Sequence, residues 1–223
     1  ATNPCGEQPL PPYGACLLGS INLAKLIKKP FEVDAHIDLK ELSELVRTSV
    51  RMLDNVIDIS RFPLPEQQEE AYKKRRIGLG VTGLADALIM CGVRYGSSEA
   101  ADLTETWMKN LRDTAYREST QLAKEKGAFQ LFDAEAYMKG PNIKILPKDI
   151  QEDIKEFGIR NALLTSIAPT GTISLLADNV SSGVEPVFAF NYERTVLRPD
   201  GSKSIEPVHD YAYQIYLNLK GDT

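Results

Sequence analysis

Asn161-Ala-Leu-Leu-Thr-Ser-Ile167, followed directly by Ala168-Pro-Thr-Gly-Thr-Ile-Ser174, is the part of the sequence that says most about the fold class. The apolar run predicts a buried strand, and the proline and glycine after it predict a tight loop that leads into an apolar turn at 175–177. A strand that passes through a short loop to a helix start is typical of α/β proteins. The chain is therefore predicted to be an α/β protein.

The loop in this stretch, Pro169–Ser174, is a candidate anion site. Backbone N–H groups at a helix start carry a partial positive charge, and Gly171 lets the backbone approach a ligand closely. The hydroxyl groups of Thr170, Thr172 and Ser174 add donors. No lysine follows the glycine, so this is not a Walker loop. Hydroxyl-rich loops also serve as helix caps, and the residues alone leave both interpretations open.

Amphipathic patterns elsewhere in the chain predict helices. Apolar residues recur at helical spacing from Asp38 to Arg61 and from Ser98 to Lys126, where Gly127 supplies a C-terminal stop. The buried stripe of the second helix is predicted to hold Trp107, Leu111, Ala115 and Leu122. Shorter helices are predicted at 84–90, 133–139, 148–157 and 211–219, and 20–27 is either a strand or one helical turn. The charged stretch at 66–76 indicates a solvated helix face or loop, and the chain after Val187 looks less regular.

Gly78-Leu-Gly-Val-Thr-Gly83 spells the GxGxxG pattern of dinucleotide-binding loops. Such a site needs a buried strand directly before the glycines, and this chain has four basic residues there, at 73–76. The pattern is better interpreted as a tight backbone passage that leads into the helix at 84–90.

Composition restricts the classes of function. The 223 residues include 26 basic and 31 acidic side chains, for a net charge of −5, which argues against nonspecific binding to nucleic acid or to anionic membranes. No apolar run approaches the roughly 18 residues that a membrane helix needs. Three cysteines are an odd number, which disfavours a secreted disulfide framework and favours the reducing cytoplasm.

The first sixteen residues, Ala1-Thr-Asn-Pro-Cys-Gly-Glu-Gln-Pro-Leu-Pro-Pro-Tyr-Gly-Ala-Cys16, carry two of the three cysteines. Their prolines and glycines exclude a long helix. In an extended backbone alternate side chains point the same way, so Asn3, Cys5 and Glu7 would present a carboxamide, a thiol and a carboxylate to one small substrate. A free cysteine is also commonly a small buried hydrophobe, and the spacing matches no zinc pattern. Spacing alone does not choose between these interpretations.

Three stretches, taken in order, resemble the large, catalytic subunit of ribonucleotide reductases. The first, Asn3-Pro-Cys-Gly-Glu-Gln-Pro-Leu10 with Ala15-Cys-Leu-Leu-Gly-Ser-Ile-Asn-Leu23, resembles the finger loop. The second, Arg76–Asp86, resembles an internal barrel segment. The third, Ala168–Ser174 continuing to Ser182–Pro186, resembles the phosphate-binding loop and the segment after it. The similarity runs from Asn3 to about Arg194. The version Gly6-Glu-Gln-Pro9 is most similar to the adenosylcobalamin-dependent, class II branch.

The resemblance implies a fold and an extent. The fold would be α/β, part (the second half) of the ten-stranded α/β barrel of these enzymes, with several long helices. Residues 1–223 would form a single segment of the catalytic barrel domain, with the finger loop at 1–19 and the following barrel strands and helices at 20–223. Whole large subunits are much longer, so we expect a fragment that is inactive when isolated. The start at Ala1, four residues before Cys5, agrees with this expectation.

The resemblance also implies catalytic roles. Cys5, as a thiyl radical, would remove the 3′ hydrogen of a ribonucleotide and later return it. Glu7 would act as general base on the 3′-hydroxyl, and Asn3 would hold the ribose hydroxyls. Cys16 would be one half of the dithiol that supplies the reducing electrons, with its partner upstream of this chain. Cys91, in an apolar stretch, is predicted to be a core cysteine.

Substrate binding is implied for a second set of residues, and no metal site is predicted. The set comprises Leu18, as an apolar wall, and Pro169, Thr170, Gly171, Thr172, Ile173 and Ser174, as phosphate-binding residues. Adenosylcobalamin is the implied cofactor. The implied partners are a ribonucleoside di- or triphosphate, a thioredoxin- or glutaredoxin-type reductant, the rest of the parent chain and a second copy in a homo-oligomer.

Two alternatives remain at this point. One is a class I large subunit, whose radical comes from a separate metal-containing protein. The other is a non-enzymatic phosphate-ligand module in which Cys5 and Cys16 form a structural or redox-sensing pair. Glu7 argues against a sensor, because redox-sensing thiols react as thiolates and a nearby carboxylate disfavours that charge.

Overall fold

The computed structural model describes residues 1–221 as a mixture of helices and short strands. The α-helices are α1 (Leu39–Ile59), α2 (Pro65–Lys74), α3 (Leu84–Met90), α4 (Ser98–Lys126), α5 (Ala134–Met138), α6 (Pro141–Lys144), α7 (Lys148–Phe157), α8 (Gly171–Leu176) and α9 (Tyr211–Lys220). The strands are β1 (Leu17–Asn22), β2 (Ile27–Lys28), β3 (His36–Ile37), β4 (Ile77–Thr82), β5 (Asn191–Leu197) and β6 (Lys203–His209). The predicted mixed α/β character is confirmed. None of the helices in the described part of the chain combines the length and the apolar character needed to cross a membrane.

The long helices lie where the periodicity predicts them. α4 occupies 98–126, and Gly127 follows it at φ +85°, a left-handed conformation that suits glycine at a helix end. The predicted stripe Trp107, Leu111, Ala115 and Leu122 is buried. α7 was expected at the surface, and only one of its faces is exposed: Ile150 and Ile154 are fully buried. At 20–27, the structure contains both predicted alternatives in succession, the end of β1 and then a short 3₁₀ turn, Ala24–Leu26.

The described chain divides into two compact units, each built from separated stretches. The first unit comprises Ala1–Ile21, Leu39–Gly80 and Asp102–Ala168, and the second comprises Asn22–Asp38, Val81–Ala101 and the chain from Pro169 onward.

In the first unit, β1 pairs with β4, and the segment 161–168 runs beside β4. The predicted buried strand at 161–167 is wrong in part. The backbone is joined to β4 by one parallel bridge, Leu79 to Thr165, and by hydrogen bonds from Ile77 and Leu79 to the carbonyls at 163 and 164. Side chains alternate between buried and exposed, and Leu163 and Ile167 are 37% and 42% exposed. The apolar run therefore lies at an edge of the pairing rather than inside a sheet.

The charged stretch at 66–76 forms α2, but its last residues are not solvated as predicted. Arg75 is buried and donates from Nε to Asp54 Oδ1 and from Nη1 to Asp58 Oδ1, each at 2.8 Å. Asn161 Nδ2 also donates to Asp54 Oδ1, at 2.9 Å. Burial opposes ionisation of Asp54, yet hydrogen bonds and the charge of Arg75 hold the pKa of this carboxyl below its usual value. A buried charge is tolerated here because it is paired and hydrogen-bonded.

The second unit contains the β2–β3 pair, α3, α8, α9 and a hairpin that sequence reasoning missed. β5 and β6 pair antiparallel over seven residues each, from Asn191 opposite His209 to Leu197 opposite Lys203. The prediction of an irregular chain after 187 is therefore wrong. Both strands are largely exposed, so their sequences lack the apolar alternation by which a half-buried strand is recognised.

Candidate active site

The N-terminal loop is a closed turn rather than the extended backbone that we predicted. The Gly6 N–H donates to the Asn3 carbonyl at 3.1 Å, and the Asn3 N–H donates to the Gln8 carbonyl at 3.0 Å. An antiparallel bridge between Thr2 and Pro9 closes the base of the turn. Gly6 has φ +82°, a conformation that side-chain-bearing residues adopt at a cost. Asn3, Cys5 and Glu7 are consequently grouped by a tight turn and not by strand alternation.

The side chains of this turn differ in their exposure and in the hydrogen bonds that they make with the protein. Asn3 Oδ1 accepts a hydrogen bond from the Gln8 N–H at 3.2 Å. Cys5 is exposed and its thiol is not in a disulfide. Glu7 Oε2 is buried and has no hydrogen-bond partner among the described residues. Buried carboxylate oxygens are normally satisfied, so Glu7 presents an acceptor that a ligand hydroxyl can use.

Two glycines of β4 leave room for Cys16, Leu18 and Ser166 to lie close to the strand. A Cβ on Gly78 would lie 2.6 Å from Leu18 Cδ2, 3.0 Å from Ser166 Cβ and 3.3 Å from Cys16 Sγ. A Cβ on Gly80 would lie 2.1 Å from the Ser166 carbonyl oxygen. Position 80 requires glycine, because a backbone oxygen cannot move aside, whereas at position 78 a Cβ would displace the end of the Leu18 side chain and press on Ser166 and Cys16. The GxGxxG pattern occupies the fully buried strand β4 as far as Thr82, and its last glycine, Gly83, directly precedes α3. The predicted backbone passage into α3 is the interpretation that the structure supports.

Cys16 lies in a setting that keeps its thiol protonated. Burial raises the pKa of the Cys16 thiol to about 11, the Arg76 guanidinium opposes this rise, and the Glu7 carboxylate adds to it. Cys16 is free, as is Cys5. A protonated thiol reacts poorly as a nucleophile, which disfavours a redox sensor at this position. The third cysteine, Cys91, is only half-buried rather than fully in the core.

Ser166 and Arg76 are neighbours of the loop that sequence reasoning did not select. Ser166 Oγ donates to the Glu7 carbonyl at 3.3 Å, and Arg76 Nη1 donates to the Pro9 carbonyl at 3.3 Å. Both tie the loop to the β4 region of the same unit. The sequence held one usable signal, because a small side chain at 166 lets that segment pass against Gly78, whose Cβ would lie 3.0 Å from Ser166 Cβ.

In the second unit, the phosphate loop Pro169–Ser174 uses its hydroxyl groups internally. Thr170 Oγ1 lies 3.0 Å from Thr82 Oγ1 and accepts from the Gly183 N–H at 2.6 Å. Ser174 Oγ donates to the Gly171 carbonyl at 3.0 Å. These two hydroxyls hold the loop in shape, and their contact with phosphate stays a prediction.

The backbone of the phosphate loop stays available to a ligand. Thr170 occupies the position before α8 at φ +55° and makes no capping hydrogen bond with its side chain. The amides of Gly171, Thr172 and Ile173 form the first turn of α8, where N–H groups have no intrahelical partner. All three residues are exposed. The loop therefore offers backbone amides, together with the exposed hydroxyl of Thr172.

A cavity of about 230 Å³ lies beside the phosphate loop in the same unit. Its polar lining includes Ser174, Ser182, Glu185, Tyr192, Arg194 and Asp210. Ser182 Oγ is 3.0 Å from Ser174 Oγ, so the segment after the loop, which the motif Ser182–Pro186 marks, forms one wall. The remaining described residues contain no group of three or more His, Cys, Asp or Glu that could hold a metal ion.

This segment of mixed α/β structure carries the exposed, free thiol of Cys5 two residues from the carboxyl group of Glu7. It also carries a second thiol, Cys16, which stays protonated. These are groups that a thiol-dependent redox enzyme uses. The family model described as "Ribonucleotide reductase, barrel domain" matches residues 1–214. The chain belongs to this family, and the resemblance drawn from the three motifs is confirmed.

Similarity to individual proteins agrees with the family. The chain is 43% identical over 198 residues to a vitamin B12-dependent ribonucleoside-diphosphate reductase of Mycobacterium tuberculosis, covering 88% of this chain and 25% of that protein. It is 40% identical over 211 residues to the protein of the same name from Thermoplasma acidophilum, covering 94% and 25%. It is 34% identical over 195 residues to a ribonucleoside-diphosphate reductase subunit alpha of Chlamydia muridarum, covering 78% and 18%. The chain thus spans about a quarter of the length of the B12-dependent relatives it matches, and the predicted similarity to that branch is confirmed.

Proposed function

We propose that the chain supplies the catalytic loop and the phosphate-binding loop of a ribonucleotide reductase that forms 2′-deoxyribonucleotides for DNA synthesis. Residues 1–223 would be one segment of the barrel domain of a longer polypeptide, with the finger loop at 1–19. One observation carries the proposal. In a chain of this family, Cys5 is an exposed free thiol two residues from Glu7, whose buried Oε2 has no donor among the described residues.

The proposed reaction starts at Cys5. As a thiyl radical it takes the 3′ hydrogen atom of the ribose, so an S–H bond forms as a C–H bond breaks. Glu7 accepts the 3′-hydroxyl proton through its free carboxylate oxygen. The 2′-hydroxyl takes a proton from the reducing dithiol to which Cys16 belongs and leaves as water. At the end of the cycle Cys5 returns its hydrogen atom to the 3′ carbon and Glu7 returns its proton. Asn3 holds the ribose hydroxyls through its side-chain Nδ2 group, since the Gln8 N–H binds only the side-chain oxygen. Leu18, which is 39% exposed, provides an apolar wall.

Cys16 would provide reducing equivalents. Two electrons are required for each deoxyribonucleotide, and they come from Cys16 and a partner thiol elsewhere in the parent chain, which become a disulfide. Because its pKa is raised to about 11, Cys16 waits as a thiol and not as a reactive thiolate. A thioredoxin- or glutaredoxin-type dithiol would then reduce the disulfide. Cys16→Ser in the parent protein should give one partial turnover without recycling, and sustained recycling by this variant would contradict the role.

The phosphate group would bind to the amides of Gly171, Thr172 and Ile173, with Pro169 shaping the approach and Thr170 and Ser174 holding the loop. Anions bind well at such helix starts. The relatives are named ribonucleoside-diphosphate reductases, which supports a diphosphate substrate. Free thiols fit a reducing compartment, and we propose a cytoplasmic enzyme that acts as a homo-oligomer.

Adenosylcobalamin is the radical source that we propose, because the relatives at 40–43% identity are named vitamin B12-dependent. When bound, this cofactor supplies the radical that converts a thiol into a thiyl. The exposure and the unpaired state of Cys5 fit such a source, since its S–H bond can be reached from outside the loop. No residue of this chain is assigned to holding the corrin ring.

The test is a reduction assay on the full-length parent protein with CDP and a dithiol, with and without adenosylcobalamin. Deoxycytidine diphosphate that forms only with the cofactor would support the proposal. Product that requires a separate metal-containing protein would indicate the class I arrangement. A folded protein that binds CDP and gives no product in any condition would favour the non-enzymatic phosphate-ligand module.

A further inference from the structure

Two buried carboxyl groups in the second unit, those of Asp86 and Asp210, bind the first turn of α9. Asp86 Oδ1 accepts from the Ala212 N–H at 3.4 Å, and Asp210 Oδ2 accepts from the Tyr213 N–H at 3.1 Å. Asp86, on α3, is fully buried, and Asp210, just before α9, is 4% exposed. The ion pairs of residues 1–221 include neither of them. Neither group has a part in the reaction proposed above.

Burial makes the two carboxyl groups of this pair harder to ionise. Burial raises the pKa of Asp86 to about 7, and the charge of Asp210 and a hydrogen bond with it act in the same direction. Burial also raises the pKa of Asp210. Two carboxylates in contact in a nonpolar setting do not both ionise, and the pair then holds one proton.

Asp86 is bonded to the segment that follows the phosphate loop. Its Oδ2 accepts from the Ser181 N–H at 2.6 Å, and its own N–H donates to Ser181 Oγ at 3.2 Å. Asp210 Oδ2 accepts from the Tyr213 N–H at 3.1 Å and so starts α9. The acid pair therefore connects α3, the Ser181 segment and α9.

The Ser181 segment in turn holds the phosphate loop. The Ser181 carbonyl accepts from Thr82 Oγ1 at 3.0 Å and from the Gly83 N–H at 2.7 Å. Gly183 N–H donates to Thr170 Oγ1 at 2.6 Å. An unbroken series of hydrogen bonds thus leads from Asp86 to the residue that precedes the exposed amides of α8.

We propose that Asp86 and Asp210 share one proton and that this shared proton positions the phosphate loop through Ser181–Gly183. Loss of the proton would leave two buried negative charges, which move apart and loosen the segment. Asp86 and Asp210 are positioning residues and do not touch the substrate. The proposal rests on the proposed function, because it assigns the phosphate to the loop that the pair supports.

The pH effects of other ionisable groups near the pair must be distinguished experimentally from those of the pair itself. His209 directly precedes Asp210, and its Nδ1 lies 2.5 Å from Asn191 Oδ1. Glu185 and Arg194 line the cavity that Asp210 also lines. The nearby acidic residue Asp178 is paired with Lys25 at 2.6 Å. The described tyrosines of α9 next to the pair are Tyr211 and Tyr213.

The experiment measures the dissociation constant of CDP by calorimetry on the full-length protein between pH 6.5 and 8.5. The wild type should bind about tenfold more weakly at the upper pH, as expected from losing a buried hydrogen-bond network. Asp86→Asn keeps an acceptor for Ser181 and a donor for Asp210, so its affinity should change far less. That variant also corrects for titration of the phosphate itself. Asp86→Ala should bind weakly at every pH, and His209→Gln should keep the wild-type profile.

Thermal unfolding of the same proteins provides a readout that does not depend on the substrate. Because the folded-state pKa of Asp86 is raised from 3.8 to about 7, the folded state holds more protons than the unfolded state between those pH values. Stability should therefore fall as pH rises from about 4 to about 7 and then level off, and Asp86→Asn should lack this fall.

The outcomes separate the two proposals. CDP binding that is tight and unaffected by pH would overturn the positioning role and leave the proposed function intact. An unchanged pH profile in Asp86→Asn together with a lost profile in His209→Gln would also overturn it. A folded protein that fails to bind CDP at any pH would overturn the proposed function, and the positioning role with it, even if the unfolding curves follow the prediction.

Discussion

The finger loop and the phosphate loop differ in which of their groups the protein leaves free. In the finger loop, backbone groups are hydrogen-bonded within the turn, whereas the Cys5 thiol and Glu7 Oε2 have no partner among the described residues. In the phosphate loop, the hydroxyls of Thr170 and Ser174 are bonded and the first-turn amides of α8 remain available. One loop offers side-chain chemistry, and the other offers backbone recognition.

This difference predicts different consequences of mutation. Replacing a free side chain in the finger loop should remove a chemical step and leave binding and folding nearly unchanged. Replacing a bonded hydroxyl in the phosphate loop should disturb the shape of a backbone site and weaken binding. Kinetic and binding measurements on the full-length protein can therefore test whether the contrast is real.

The largest effect is expected for Cys5→Ser. A serine O–H bond is too strong to take the place of a thiol S–H bond in reversible hydrogen transfer, so kcat should fall on the order of 10⁴-fold or more. Because Cys5 is exposed, CDP affinity and thermal stability should stay at wild-type values. Turnover assays and calorimetry measure both. Cys91→Ser, at a half-buried thiol outside the loop, is the matched control and should remain active.

Glu7→Gln should have the next largest effect. The amide keeps the size of the side chain but cannot accept the 3′-hydroxyl proton, and loss of a general base typically lowers kcat by about 10²–10⁴-fold. CDP affinity should change little, since the hydrogen bond between Ser166 and Glu7 uses the Glu7 backbone carbonyl, which the substitution keeps. A variant that loses affinity and keeps kcat would show that Glu7 binds substrate and does not act as a base.

Gly80→Ala tests the support beneath the finger loop. Its Cβ would lie 2.1 Å from the Ser166 carbonyl oxygen, a backbone atom that cannot rotate away, so the free energy of unfolding should fall by about 3 kcal/mol. Chemical denaturation measures the loss. Gly19→Ala is the control, because its Cβ would meet Leu53 at an ordinary 3.4 Å, and it should change stability by less than about 1 kcal/mol. Equal stability of the two variants would contradict the close approach.

Sequence reasoning predicted the elements whose signal is local. α4 is one example, since its apolar stripe and its closing glycine all lie within the helix and its end. The β5–β6 hairpin shows the opposite case. Inward positions of β5 include Tyr192 and Arg194, so a polar strand with a charged residue on its more buried face gives no alternation to detect.

The same distinction applies to the candidate site. The identities of Cys5, Glu7 and Gly171 can be read from motifs. The hydrogen bonds of Thr170 cannot be read from a motif, because its partners Thr82 and Gly183 come from other parts of the chain, the first of them 88 residues away. A hydroxyl in a loop looks the same in sequence whether it faces a ligand or a neighbouring strand.

Thr170→Val is the prediction that sharpens this point, and its effect should be the smallest. The valine keeps the shape of the side chain but leaves the Gly183 N–H without its acceptor, a loss of about 1–3 kcal/mol. The Thr82 hydroxyl loses its contact with Thr170 and keeps its hydrogen bond to the Ser181 carbonyl. KM for CDP should rise about tenfold with kcat nearly unchanged, since a tenfold change corresponds to about 1.4 kcal/mol. Thr172→Val removes an exposed hydroxyl from the same loop and should raise KM less than Thr170→Val. If Thr172→Val were the more damaging of the two, phosphate would be held by side-chain hydroxyls, and the contrast between the two loops would not stand.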